Sequence, residues 1–86
     1  MYTKETTVKC LVGLHARPAT MLVKLSDQFK SKIEISDGKR TVSVKSLISV
    51  LSLAVKKGSR ITVIADGEDE MDAVHAVIGL LEREDI

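Results

Sequence analysis

Two alternating runs flank an Asp-Gly step near the middle of the chain: "KIEIS" at residues 32–36 and "RTVSV" at 40–44, with Asp37-Gly38 between them. Strict alternation of apolar and polar residues reads as a half-buried strand, and Asp-Gly supplies the positive φ of a tight hairpin turn. The pair therefore predicts an antiparallel hairpin with Ile33, Ile35, Val42 and Val44 on its inner face. Two more strands follow the same rule. "YTKETTVK" (2–9) places Thr6 and Val8 on one side, and "RITVIA" (60–65) is a further β-branched run.

Helical spacing fills the gaps. Residues Ala16 to Ser26 place Ala19, Leu22 and Val23 on one face, after a loop holding Val12 and Gly13. Ser46 is a good N-cap for a short helix within "LISVLSLAV" (47–55), with Val50, Leu53 and Ala54 as its buried side. Lys56, Lys57 and Gly58 mark its end. Asp69 caps a last helix whose stripe is Val74, Val77, Ile78 and Leu81, with the acidic "EDEMD" favouring its dipole. "LEREDI" (81–86) reads as a solvated, fraying tail. The order β-α-β-β-α-β-α specifies an α+β fold, an antiparallel sheet with helices on one face. Spacing leaves the strand neighbours open, because a ferredoxin-like plan shares the first six elements.

At 86 residues the chain is expected to be one domain, 1–86, with no linker or repeat. Tyr2 and Phe29 are the only aromatic residues, so the core must be aliphatic. A formal net charge of +1 argues against strong non-specific attraction to nucleic acid and against a polybasic membrane anchor. The RNA-recognition motif has a similar element order, but it stacks bases on sheet aromatics that this chain lacks. No stretch is apolar enough for a secretory leader or a bilayer span. Lone Cys10 suits a reducing compartment, so a cytoplasmic location is expected. No His or Cys cluster suggests a metal, and His75 reads as a surface histidine. A thiol hydrolase built on Cys10 and His15 lacks a recognisable third group.

The feature that points to chemistry is "VGLHARPAT", residues 12–20. With His15 as N-cap, Ala16, Arg17 and Pro18 form the first turn, where proline is tolerated. Free amides and the positive end of the helix dipole suit an anion there, and the Arg17 guanidinium can grip phosphate oxygens. The same field disfavours a charged imidazole, and neutral imidazole is a nucleophile near neutral pH. A histidine that merely caps a helix beside a surface arginine satisfies the same spacing.

"GLHARPAT" resembles the phosphorylation-site signature of the HPr family, the histidine-containing phosphocarriers of the bacterial phosphoenolpyruvate-dependent sugar phosphotransferase system. Residues 37–70 are also similar to the second half of that family, so the resemblance covers essentially the whole chain. It implies an open-faced β-sandwich with sheet order 1-4-2-3 and three helices on one face. It implies that His15 accepts a phosphoryl group on Nδ1 from phosphorylated enzyme I and donates it to sugar-specific IIA domains, with Arg17 as clamp. A carrier of this kind is not itself the catalyst, uses no cofactor and is expected to be monomeric.

Ser46 in "VKSLISVLSL" matches the serine modified by HPr kinase/phosphorylase in the Gram-positive branch, where a catabolite-control transcription regulator reads the product. Without the resemblance it would pass for an ordinary cap. Leu47, Ile48 and Leu51, with Ser52 and Lys45, match the family's partner-docking face, and Lys24 and Lys45 can add positive rim charge for acidic partners. The residues alone also allow all three apolar ones to be core. Two positions depart from the pattern: Val12 replaces a small polar residue, and Ser49 replaces a common glycine. They put loop hydrogen bonding and kinase efficiency in doubt. Within the family, a nitrogen-branch carrier normally lacks the Ser46 context, and a purely regulatory paralogue lacks the histidine.

Overall fold

The alternating and periodic segments emerge as β1 (Tyr2–Thr7), α1 (Ala16–Ser26), β2 (Lys32–Ser36), β3 (Thr41–Ser43), α2 (Leu47–Ser52), β4 (Arg60–Asp66) and α3 (Glu70–Leu81). These come from a computed structural model describing residues 1–86. The four strands form one sheet in the order β1-β4-β2-β3, every neighbouring pair antiparallel. Register follows the apolar pattern: Ile35 lies opposite Val42 and Val63, and Ile33 opposite Ala65. Ile33, Ile35, Val63 and Ala65, with Ile61, are buried against the helices, and Val42 packs half-buried on them. The other face is not covered, which makes an open-faced sandwich. Leu22 of α1, Val50 of α2 and Val74, Val77 and Leu81 of α3 complete one aliphatic cluster. Ile78 of the expected stripe is only half-buried and packs on its edge.

Four local expectations need correction. The hairpin is closed by residues 37–40, because strand pairing resumes at Thr41 and not at Arg40, with positive φ at Gly38 alone. The Asp37 carboxylate accepts the Lys39 and Arg40 amides, which makes the longer turn self-sufficient. Strand β3 stops at Ser43, although Val44 stays fully buried and donates its amide to the Ile33 carbonyl. Helix α2 ends well before Gly58, and Ala54 is exposed in the left-handed region at φ 53° instead of packing inward. Val55 takes the buried place.

The fourth correction concerns the tail. Leu81 is fully buried and Ile86 is 7% exposed, so this segment is not frayed. The Ile86 carbonyl accepts the Leu11 amide, and Arg83 pairs with Asp85 at 2.7 Å. An apolar residue separated by four polar ones from the last helical turn gives no periodic signal. Its burial is decided by the groove it meets.

Asp69 occupies the N-cap of α3, yet its carboxylate makes no cap bond to the helix. It accepts instead from the Lys30 amide at 2.9 Å, the Ser31 amide at 3.0 Å and the Ser31 hydroxyl, tying α3 to the start of β2. Those donors hold the Asp69 carboxyl below the usual carboxylate range, the Ser31 hydroxyl foremost. A depressed folded value means stability present above the unfolded value, about 3.9, and lost as pH falls through the folded one. Replacing Asp69 by Asn should therefore lower the melting temperature near neutral pH. The gap from the unaltered protein should close as melts are taken down to about pH 2. A constant gap would show that geometry, not charge, holds this junction.

Candidate functional site

His15 adopts extended backbone angles (φ −86°, ψ −170°) and its carbonyl accepts the first helical bond, from the Ala19 amide at 2.8 Å. Its imidazole makes no capping hydrogen bond and is exposed. The backbone thus does the capping and leaves both ring nitrogens available. Pro18 has no amide, so Ala16 and Arg17 supply the donors at this helix end. Pro18 itself is buried and anchors the first turn, while Ala16 and Arg17 are exposed.

The loop before the histidine is fixed by close backbone contact. Gly13 is buried at φ 71°, and a Cβ there would lie 2.3 Å from the Val55 carbonyl oxygen. The Leu14 amide donates to that same oxygen at 3.0 Å, and the Gly13 amide to the Cys10 carbonyl. Only glycine fits this approach. Gly13 and Val55 were not singled out from the sequence as site-forming residues; the glycine two places before the histidine was the available signal. Val12 and Leu11 are each 59% exposed beside them.

Arg17 lies near Asp85. The Asp85 carboxyl is held below its usual range chiefly by its hydrogen bond from Arg83, with a smaller pull from Arg17. Cys10 is fully buried, its thiol faces the Leu80 and Leu81 carbonyls, and burial pushes its pKa up. No cluster of metal-ligating side chains is present. His75 is on the surface, edge-on to the Tyr2 ring at 5.7 Å between centroids. Phe29 packs half-buried on the core, so neither aromatic belongs to a base-stacking platform.

Helix α2 packs against α1. Ser46 caps it, its hydroxyl accepting the Ser49 amide at 3.3 Å. Val50 and Leu53 turn inward, whereas Leu47, Ile48 and Leu51 are 38%, 81% and 39% exposed. The three therefore form a surface patch. The accompanying polar residues have internal partners. Ser52 donates to the Ser49 carbonyl and accepts from Arg40, and the Lys45 ammonium reaches the Phe29 carbonyl at 2.9 Å. Lys24 is exposed in the last turn of α1.

Residues 2–83 match the family described as the PTS HPr component phosphorylation site. The chain belongs to the HPr family. It is 40% identical over 84 residues to the HPr-like protein Crh of Halalkalibacterium halodurans, covering 98% of this chain and all of that one. Identity to the phosphocarrier protein HPr of Haemophilus influenzae is also 40%, over 81 residues, 94% of this chain and 95% of that protein. The HPr structure from Thermoanaerobacter tengcongensis superposes with a TM-score of 0.92 at 33% identity, covering 98% and 94% of the two chains. A domain-swapped dimer of Bacillus subtilis Crh is similar at TM-score 0.79 and 33% identity, over 98% and 97%. The open-faced sandwich with order β1-β4-β2-β3 is thus the HPr fold, as the sequence resemblance implies. No helix in this HPr-family chain is long and apolar enough to cross a membrane.

Exposure separates patch from core in α2. Ile48→Asp should leave the melting midpoint nearly unchanged, since surface changes usually stay within about 0.5 kcal/mol. Val50→Asp should unfold or severely weaken the domain by burying an unpaired charge. Thermal melts of the two variants check this, and equal losses would make Ile48 a packing residue.

Proposed function

We propose that the chain is a phosphoryl carrier of the sugar phosphotransferase system, accepting its phosphoryl group on His15 Nδ1 from phosphorylated enzyme I and delivering it to sugar-specific IIA domains. The observation that carries this reading is an exposed imidazole, free of capping bonds, at the start of a helix whose first turn carries the exposed Arg17. In each transfer the bond from phosphorus to the donor breaks as the bond to the acceptor forms. Arg17 holds the phosphoryl oxygens in passage, and the partners supply the rest of the reacting site. The carrier works in the cytoplasm as a monomer, with residues 1–86 as its single domain. Leu47, Ile48 and Leu51 provide the apolar docking surface, with Lys24, Lys45 and Ser52 around it.

Labelled phosphoenolpyruvate and enzyme I test the central step. The protein should acquire an acid-labile label, and His15→Ala should fold yet acquire none. Label retained on that variant would overturn the assignment. Arg17→Ala should accept label and pass it on at least about tenfold more slowly, as expected when a charge-assisted hydrogen bond is lost. An unchanged transfer rate would make Arg17 a bystander.

The similarity to Crh favours a second reading, a regulatory HPr paralogue acting through Ser46 alone. The retained histidine argues for the carrier. Label from HPr kinase with none from enzyme I would reverse that choice, and sizing in solution would reveal any swapped dimer.

Both readings give Ser46 to HPr kinase/phosphorylase, with a catabolite-control transcription regulator recognising the phosphoprotein. A phosphate at this N-cap retains oxygens for the Ser49 amide and leaves the sheet untouched, but it places charge next to Leu47 and Ile48. Phosphorylation should therefore shift the melting midpoint upward or by less than about 4 °C, under 1 kcal/mol, while hindering enzyme I. A larger drop in the midpoint would mean that the domain rearranges.

A further inference from the structure

Helix α2 has only six residues, and Val50 is the sole one fully buried. Its last turn carries no basic side chain, and Ala54 follows in a left-handed conformation. A helix this short and thinly packed gains little from its own ladder. Its exposed side nevertheless bears the apolar patch.

A group from another element closes its C-terminal end. The Arg40 guanidinium, from the β2–β3 turn, donates to the Ser52 carbonyl at 3.1 Å and to the Ser52 hydroxyl at 3.1 Å. That hydroxyl donates onward to the Ser49 carbonyl at 2.7 Å. The base of the arginine is fixed as well. Its amide donates to the Asp37 carboxylate at 2.9 Å, and its carbonyl accepts the Asp37 amide at 3.2 Å. Arg40 joins none of the salt bridges of the fold, so its fork is spent on the helix. A cation at a helix C-terminus is favoured by the dipole, and a planar fork holds two acceptors where an ammonium holds them less well.

We infer that Arg40 is a positioning residue that fixes the last turn of α2, and with it Ile48 and Leu51, in the orientation partners dock on. This rests on the carrier reading for its partner and on the free protein for its geometry. Without the clamp, the turn frays and each docking event must order it again, which weakens binding and leaves the phosphoryl chemistry intact.

The experiment compares Arg40→Gln, Arg40→Lys, Ser52→Ala and the Arg40→Gln/Ser52→Ala double variant with the unaltered protein. Enzyme I-dependent phosphorylation gives KM and kcat, and amide hydrogen exchange is measured on the free proteins. Arg40→Gln should raise KM about three- to tenfold with kcat within about twofold, the size expected for one charge-assisted hydrogen-bond network. The Leu53 and Ala54 amides, which bond to Val50 and Leu51 carbonyls, should exchange faster while sheet amides do not. Arg40→Lys should recover part of both effects, and the double variant should lose less than the two single changes combined. Unchanged KM and exchange would overturn the inference. So would a raised KM with unchanged exchange and additive losses, which would make Arg40 a direct partner contact. If enzyme I fails to phosphorylate even the unaltered protein, the carrier reading falls, and the exchange data alone then decide whether Arg40 holds α2.

Discussion

The site depends on one contact made without side chains: Gly13 laid against the Val55 carbonyl, with the Leu14 amide bonded to the same oxygen. It seats the loop that ends at His15 on the segment that follows α2. A side chain at residue 13 would part the two segments. Around this seam, Leu14 and Val55 are buried and Cys10 closes the floor, while Leu11, Val12 and His15 face outward. Because backbone holds the loop, the imidazole is not needed for structure. It can change its covalent state without removing a bond from the fold.

That separation explains which parts of the molecule were legible in the sequence. Strands and helices carried by local periodicity were readable: α1 begins and ends where its spacing predicts, and Ile33, Ile35, Val63 and Leu22 are core. The sheet order was not readable from spacing, since the placement of β4 between β1 and β2 depends on contacts across the chain. It came from the resemblance alone. Ile86, Ala54 and the Asp69 carboxylate were misread for a related reason: each is governed by what it meets in space. Asp69 has the sequence context of a helix cap, but Ser31 and Lys30 offer three donors nearby, and those win. At the site, the motif displayed His15, Arg17 and Pro18, while the supporting Gly13–Val55 seam and the Arg40 fork were invisible.

Charge is arranged along β4. Its start, paired with the end of β1 near the histidine loop, has Lys56, Lys57 and Arg60 close by in the chain. Its far end leads into Asp66, Glu68, Asp69, Glu70 and Asp72. Each end also carries the opposite sign, Glu5 paired with Arg60 at one and the Met1 ammonium and Lys30 paired with Glu70 and Glu68 at the other, in keeping with a formal net charge of only +1. Strong neutral attraction elsewhere is avoided because the exposed large apolar residues are confined mainly to α2 and the loop before His15.

The absence of a cleft around His15 follows from the proposed role. The surface hollows are lined by residues 67–72 at the start of α3 and by Met21, Lys24, Leu25, Gln28, Leu80 and Arg83 between α1 and α3, and neither includes the imidazole. An enzyme encloses its reacting group so that preorganised dipoles replace water. A carrier must instead offer the same atom to unlike partners, and any wall built for one would obstruct the other. On the proposed role, a site outside any hollow leaves the walls to the partners: the chain would contribute the nucleophile, the helix-end donors and a patch that sets orientation. Water exclusion then begins only when a partner docks, so the precision of the patch matters as much as the imidazole. A six-residue helix with one buried side chain would be a poor platform on its own. Its capping serine and the arginine at its far end supply the missing rigidity at the two places where a short helix is weakest.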